Sequence, residues 1–309
     1  MTLEEAYRLY PDLEWYDNHR MTVSQQCNRK GYWHLVGPAG IGLAIEVGAA
    51  AKFGSSFHNA LRAYYQGLID DPKAEHHDLL GLALTAFHEY HLKHVYPPYE
   101  ERYGVEQGMR KLVRYLDHFQ GEDALYRPIK AEAGSAALIT PPTGAPFIYA
   151  WRLDLLVETR DGLAVKETKT AGNAGTRIQR LKMQRQVRGY VWGAQRVSDI
   201  PVTGALLDVV STAKNVKPED EFLRDRLFLN NRQLDEWYDE TIELVRDWRD
   251  RKARYFSTGN LSVFPKQTEE CMSYGRCVFW DLCYYGASET RLGEFTQDKW
   301  NPLNILEEN

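Results

Sequence analysis

The chain lacks any apolar run long enough to cross a bilayer, and its opening Met1-Thr-Leu-Glu-Glu5 is acidic where a secretion signal would be basic and then apolar. These absences exclude a helical membrane protein and place the expected location in the cytoplasm, of a cell or of a phage-infected host. Internal repeats and low-complexity tracts are also missing. The net charge is only −5, so no general basic coat for nucleic acid exists, although a localised positive surface is compatible with that balance. Cysteine is scarce, with four residues in 309, and without a secretion signal a pair of disulfides is disfavoured. With 43% hydrophobic residues, the chain has enough to bury one substantial core, or a core plus an insertion.

Between residues 147 and 169 the pattern predicts a two-stranded hairpin. In Phe147 to Val157, Tyr149, Trp151, Leu153, Leu155 and Val157 alternate onto one apolar face, with Arg152 and Asp154 on the other. Asp161-Gly162 makes the turn, and Leu163 to Lys169 returns with Glu167 and Lys169 pointing the same way. Two carboxylates and an ammonium converging at a sheet end suit a divalent ion, with the lysine beside a water that attacks phosphate. A salt-bridged surface hairpin is the plainer alternative, and the hairpin alone leaves the two about even.

Other segments shift that balance. Gly54-Ser-Ser-Phe-His58 opens a stretch in which Phe57, Leu61, Tyr64 and Leu68 repeat at helical spacing, putting His58 near a helix start. Met183, Val187, Tyr190, Val191 and Ala194 mark a later helix, with Gln186 and Tyr190 on neighbouring turns. From Arg177 to Arg196 the basic residues Arg177, Arg180, Lys182, Arg185, Arg188 and Arg196 occur with no acid, a run better suited to phosphate contact than to a plain solvated face. His88, His91 and His94 recur every third residue but drift around a helix, so they read as exposed or channel-lining. Trp151 reads as core, whereas Trp192 and Tyr65 are candidates for stacking on bases.

Gly54 with His58, then Asp154, then Glu167-Thr168-Lys169, then Gln186 with Tyr190, in this order, resembles the RecB-type branch of the PD-(D/E)XK nucleases, in particular its Cas4-like members. The resemblance implies an α/β fold with a mixed central sheet flanked by helices. It implies that His58, Asp154 and Glu167 bind Mg2+ or Mn2+, with the carbonyl of Thr168 as a further ligand, and that Lys169 is catalytic. It also implies that Gln186 and Tyr190 contact DNA, and it gives Glu132 the place of an accessory acid on the preceding strand. Cys27 and the Cys271-x5-Cys277-x5-Cys283 array stand where the resembling family carries a 4Fe-4S cluster, although many members have a shorter first interval. Zinc competes for such a set of thiols, and buried unliganded cysteines remain the bland reading.

The resulting expectation is a single nuclease domain over 1–309, with a helical insertion at 69–126 and a C-terminal cysteine lobe at 257–309 packing with the Cys27 region. Within the insertion, one helix runs through Leu79 to Tyr90, another through Met109 to Leu116, and Pro97-Pro98 breaks the chain between them. Thr203 to Val210 reads as a strand and Asn231 to Phe256 as a long helix. The expected activity is exonucleolytic cleavage of single-stranded or frayed DNA, with DNA as partner, no membrane and unknown protein partners. The alternatives are a noncatalytic iron–sulfur DNA-binding scaffold and a Cas4-type endonuclease that processes DNA ends.

Overall fold

The protein is represented by a computed structural model that describes all residues except 39, 46, 96–98, 274, 299–300, 302 and 304–309. In chain order the N-terminal elements are α1 (Leu3–Leu9), β1 (Trp15–Tyr16), α2 (Asn18–Gln26), α3 (Asn28–Leu35), β2 (Gly42–Leu43), α4 (Ala49–Asp70), α5 (His76–His94) and α6 (Val105–Asp123). The central stretch carries β3 (Arg127–Ile139), β4 (Phe147–Thr159), β5 (Gly162–Ala171), α7 (Ala174–Met183), α8 (Arg185–Val197) and β6 (Val202–Ser211). Then follow α9 (Pro218–Glu221), β7 (Phe222–Phe228), α10 (Asn231–Thr258), α11 (Trp280–Tyr284), α12 (Glu289–Leu292) and β8 (Gln297–Asp298). The expected break at Pro97-Pro98 lies outside the described residues. No helix among the described residues is long and apolar enough to cross a membrane.

Six strands form one mixed sheet in the order β1-β4-β5-β6-β7, with β3 added along β4. Parallel pairing joins β5 to β6 through the α7–α8 crossover and β1 to β4, and the remaining pairs are antiparallel. One sheet face is covered by α4, α5 and α6, whose Phe53, Phe57, Leu61, Phe87, Leu112 and Tyr115 pack on Leu155, Val157, Leu206 and Val210. The other is covered by α8 and α10, with Trp192, Trp237 and Val245 against Tyr149, Trp151, Val165 and Leu207. The helices of 69–126 are therefore one layer of the sandwich: α6 closes that face of the sheet, and α5 packs on α4.

The hairpin forms where alternation predicts, and Gly162 is required at its turn. Its φ is +122°, and a Cβ there would stand 2.7 Å from the Pro201 carbonyl. The single apolar face does not hold, however. Tyr149, Trp151 and Leu153 enter the α8–α10 core, whereas Leu155 and Val157 enter the opposite core under α4 and α6. The alternation changes sides at Asp154. Facing it on β3, Glu132 adopts φ +46°, a left-handed conformation that costs a non-glycine residue roughly 1–3 kcal/mol.

Two helices differ from the pattern. The α4 helix begins at Ala49, so His58 lies well inside it, and the Gly54-Ser-Ser segment is carried through because Phe53 and Phe57 are both buried. The basic stretch is two helices with Gln184 between them in extended conformation. Of these, α8 lies close on β4: a Cβ at Gly193 would come within 2.5 Å of the Trp151 ring. Enlarging that residue forces apart a filled interface at about 1–3 kcal/mol.

Candidate active site

A gap in the strand pairing builds the site. Along one edge β4 pairs with β3 for almost its whole length. Its other edge is shared by β1, at Ile148 and Tyr149, and by β5, from Leu155 to Thr159. Residues 150–154 thus face no strand on that side. Beyond Leu155 and Lys166 the two strands separate, and the Thr168 backbone N–H donates to Asp154 Oδ2 at 2.9 Å instead of to a β4 carbonyl. The opening is a cavity of about 280 Å³ lined by Asp17, Ser55, His58, Glu132, Arg152, Asp154, Lys169, Gln186 and Tyr190, among others.

His58, Glu132 and Asp154 each offer a ligand atom here, and the three atoms lie within 4.8 Å of one another. A mixed oxygen and imidazole set of this kind fits Mg2+ or Mn2+. Glu167 does not join the three. It is fully buried, its Oε1 stands 2.6 Å from Lys169 Nζ, and neither carboxylate oxygen accepts a geometrically sound hydrogen bond. Oε1 is nevertheless ion-paired with the Lys169 ammonium, so Oε2 is the oxygen left short of a partner that a bound cation would supply. Glu132, read from the sequence only as an accessory acid, is thus a member of the central group, held also by Arg152 at 3.0 Å.

The charges in the cavity are set by one another. Burial opposes ionisation of Asp154, but His58 at 3.3 Å, Lys169 and the Thr168 N–H overcome it and hold the carboxyl well below the ordinary range. Burial and the neighbouring Asp154 charge push Glu167 up to about 7. Burial likewise raises Glu132, again with Asp154 as the repelling charge. For Lys169 and His58 burial favours the neutral forms, yet the nearby carboxylates win and both are raised. Lys169 is therefore an ammonium with part of its surface open to the cavity.

Gln186 Nε2 donates to Tyr190 Oη at 2.7 Å, and both line the cavity from α8. Arg185 does not reach it. Its guanidinium pairs with Glu240 and donates to Thr241 Oγ1 at 2.6 Å, tying α8 to α10. The charge of Arg177 is felt at Lys169, whereas Arg180 lies on the exposed side of α7 and Arg188 is half-buried on α8, neither among the residues that line the cavity. The three spaced histidines are not one group. His91 is 1% exposed, stacked on Phe87 and bonded to Ser56, whereas His88 is exposed. Trp192 and Tyr65, read as stacking candidates, are both buried.

Asp17, Asn18 and His19 enter the site from the start of α2, where no periodicity or motif announces them. The only signal for Asp17 is local: it caps α2 through Arg20 N at 2.7 Å. Arg152 was legible as a strand neighbour of Asp154 but not as the partner of Glu132.

The four cysteines lie where the Cys27 segment meets the segment from Gln267 to Cys283. Cys27, Cys271 and Cys277 line a cavity of about 150 Å³. Cys283 accepts from Trp33 Nε1 at 3.4 Å, and burial pushes its thiol up, as burial and the neighbouring Cys277 and Cys27 do for Cys271. The two chain ends are bound together around them: Arg29 donates to the Phe264 and Leu261 carbonyls, and the Gln267 N–H points to Cys27 Sγ.

A family model described as the PD-(D/E)XK nuclease superfamily matches residues 23–284. A comparison with curated proteins returned no match. Among solved structures, the chain is similar to LHK-Exo, an alkaline exonuclease from Laribacter hongkongensis, at 14% identity and a TM-score of 0.28, covering 65% of this chain and 97% of that one. LHK-Exo in complex with dAMP aligns at 13% identity and a TM-score of 0.31, over 68% of this chain and 96% of that one. A protein of Eubacterium rectale, named as a candidate exonuclease, aligns at 11% identity and a TM-score of 0.45, over 99% of this chain and 97% of that one.

Proposed function

The chain belongs to the PD-(D/E)XK nuclease superfamily, and from that premise we propose that it is a divalent-metal-dependent DNA exonuclease acting on single-stranded or frayed ends. The observation that carries the reading is the convergence of His58, Glu132 and Asp154, with Glu167 and Lys169 beside them, in the gap where β4 and β5 part. In this reading His58, Glu132, Asp154 and Glu167 hold Mg2+ or Mn2+, and the carbonyl of Thr168 is a further ligand. A bound ion supplies charge stabilisation to the scissile phosphate. Lys169 orients the attacking water through its ammonium and is itself held by Glu167. Gln186 and Tyr190, locked together, bind the DNA strand at the cavity wall. Arg177, Arg180 and Arg188 take the phosphates leading to it, and Arg185 contributes by fixing α8 on α10.

The finer assignment is to the Cas4-like iron–sulfur branch, with Cys27, Cys271, Cys277 and Cys283 holding a 4Fe-4S cluster that ties residues 257–309 to the Cys27 region. One zinc ion with Zn–S bonds of about 2.3 Å needs its sulfurs roughly 3.8 Å apart. What supports a shared centre is that Cys27, from the N-terminal segment, lines one cavity with Cys271 and Cys277. The proposed arrangement is one nuclease domain whose 69–126 helices form part of its core, working in the cytoplasm.

The deciding assay compares end-labelled linear DNA with covalently closed single-stranded circles, with and without Mn2+. Loss of label from linear strands only, and only with metal, is expected. Circles cut as fast as linear strands would move the assignment to the endonuclease reading, and tight binding without cleavage in Mn2+ to the noncatalytic one.

A further inference from the structure

A second cavity opens on the sheet face covered by α4, α5 and α6, between those helices and the strands β3, β4 and β5. Its volume is about 560 Å³, twice that of the active-site cavity at about 280 Å³. Leu68, Leu79, Leu116, Leu155 and Val157 make its apolar walls, and Tyr64, Tyr65 and Tyr126 add aromatic rings. Lys166 closes the floor at 2% exposure. Lys169 on the same strand lines the active-site cavity, so the two cavities share β5.

The floor is polar but electrically balanced. Lys166 Nζ donates to Tyr65 Oη at 2.5 Å and to Asp123 Oδ2 at 2.8 Å, and stands 3.5 Å from Asp208. Arg224 grips the same two acids, donating to both Asp208 oxygens at 2.7 Å and pairing with Asp123 Oδ1 at 2.7 Å. Two cations and two carboxylates therefore neutralise one another beneath the cavity. At the rim Tyr64 Oη donates to His76 Nδ1 at 2.8 Å, His76 Nε2 donates to Asp117 at 3.0 Å, and Arg127 is paired with Glu158. An ion entering would exchange its hydration for groups that, the exposed rim carboxylate of Glu75 apart, are already satisfied. A neutral molecule with an apolar aromatic body loses little, and the volume of about 560 Å³ lies within the roughly 300–1,000 Å³ usual for small-molecule sites.

We propose that this cavity is a ligand site, separate from the active site, for a neutral aromatic molecule. It stands on the geometry of the α4–α6 face and does not depend on the nuclease reading. Two dyes of nearly equal shape test it on the full chain: neutral N-phenyl-1-naphthylamine and its sulfonated analogue 8-anilinonaphthalene-1-sulfonate, both of which fluoresce when removed from water. The neutral dye should bind saturably, one per chain, and at least tenfold more tightly than the sulfonate. Ala74→Trp, which fills the cavity from its rim, should abolish the neutral-dye signal while circular dichroism stays unchanged. Ala124→Trp, at an exposed rim position on α6's end, serves if the first variant fails to fold. Absence of saturable binding, equal affinity for the sulfonate, or an undiminished signal in a folded rim variant would each overturn the proposal.

Discussion

At the scale of single residues, the account turns on which side chains share charge in the β4–β5 gap. Glu132→Gln and Asp154→Ala should each weaken Mn2+ binding by at least tenfold in calorimetry, because each removes one of three clustered ligand atoms. Unchanged Mn2+ affinity in Glu132→Gln would restore that residue to an accessory role. A second prediction follows from Glu167, whose carboxyl is pushed up to about 7 from an ordinary 4.5. In metal-free protein the folded state keeps a proton that the unfolded state has released between about pH 4.5 and 7, so stability should fall as pH rises through that window. Glu167→Gln should flatten the slope of Tm against pH there, and a slope equal to wild type would remove the assignment. Asp154, Glu167 and Lys169 were legible because strand alternation and short spacing carry them. Glu132 was only half legible, since its membership depends on a left-handed backbone at one position, and no pattern in Ile129-Lys-Ala-Glu-Ala133 encodes it. Asp17 and His19 were not legible at all, because they reach the site through the tertiary placement of α2.

At the scale of elements, α7 and α8 separate what the sequence joins. The run from Arg177 to Arg196 reads as one basic helix, yet it divides at Gln184 and its arginines serve different ends. Arg177→Ala with Arg180→Ala should reduce the salt dependence of DNA binding, lowering the slope of log affinity on log salt by about 1–2. Arg185→Ala should instead lower Tm, because it unties α8 from Glu240 and Thr241 on α10. Equal salt slopes for the double variant and wild type would count against phosphate contact by α7. Helices such as α5, α6 and α10 and strands β4, β5 and β6 were legible in the sequence, whereas β3 was expected through the resemblance that put Glu132 on a preceding strand. The side change in β4 at Asp154 was not, since alternation in sequence is blind to where a strand's partner leaves it.

Over the whole molecule, both chain ends are fastened beside the sheet, through β1 on β4, β2 on β8, and the contacts of Arg29 and Gln267 around the cysteines. If a cluster lies there, anaerobically purified protein should be brown, and Cys277→Ala should bleach it and lower Tm together. Colourless protein with stoichiometric zinc would select the competing metal. Neither the short strands β1, β2 and β8 nor the balanced charges of Lys166, Asp123, Asp208 and Arg224 under the sheet were legible, because each is made of residues far apart in the chain.

The central claim, hydrolysis in the β4–β5 gap, is tested most directly by single-turnover cleavage of an end-labelled linear single strand in Mn2+, wild type beside Lys169→Ala. Wild type should release label only with the metal, and Lys169→Ala should be slower by about 10²–10⁴ while still binding DNA, as expected from the role proposed for Lys169 at the reacting water. Cleavage by Lys169→Ala at the wild-type rate, or cleavage by wild type indifferent to Mn2+, would contradict it.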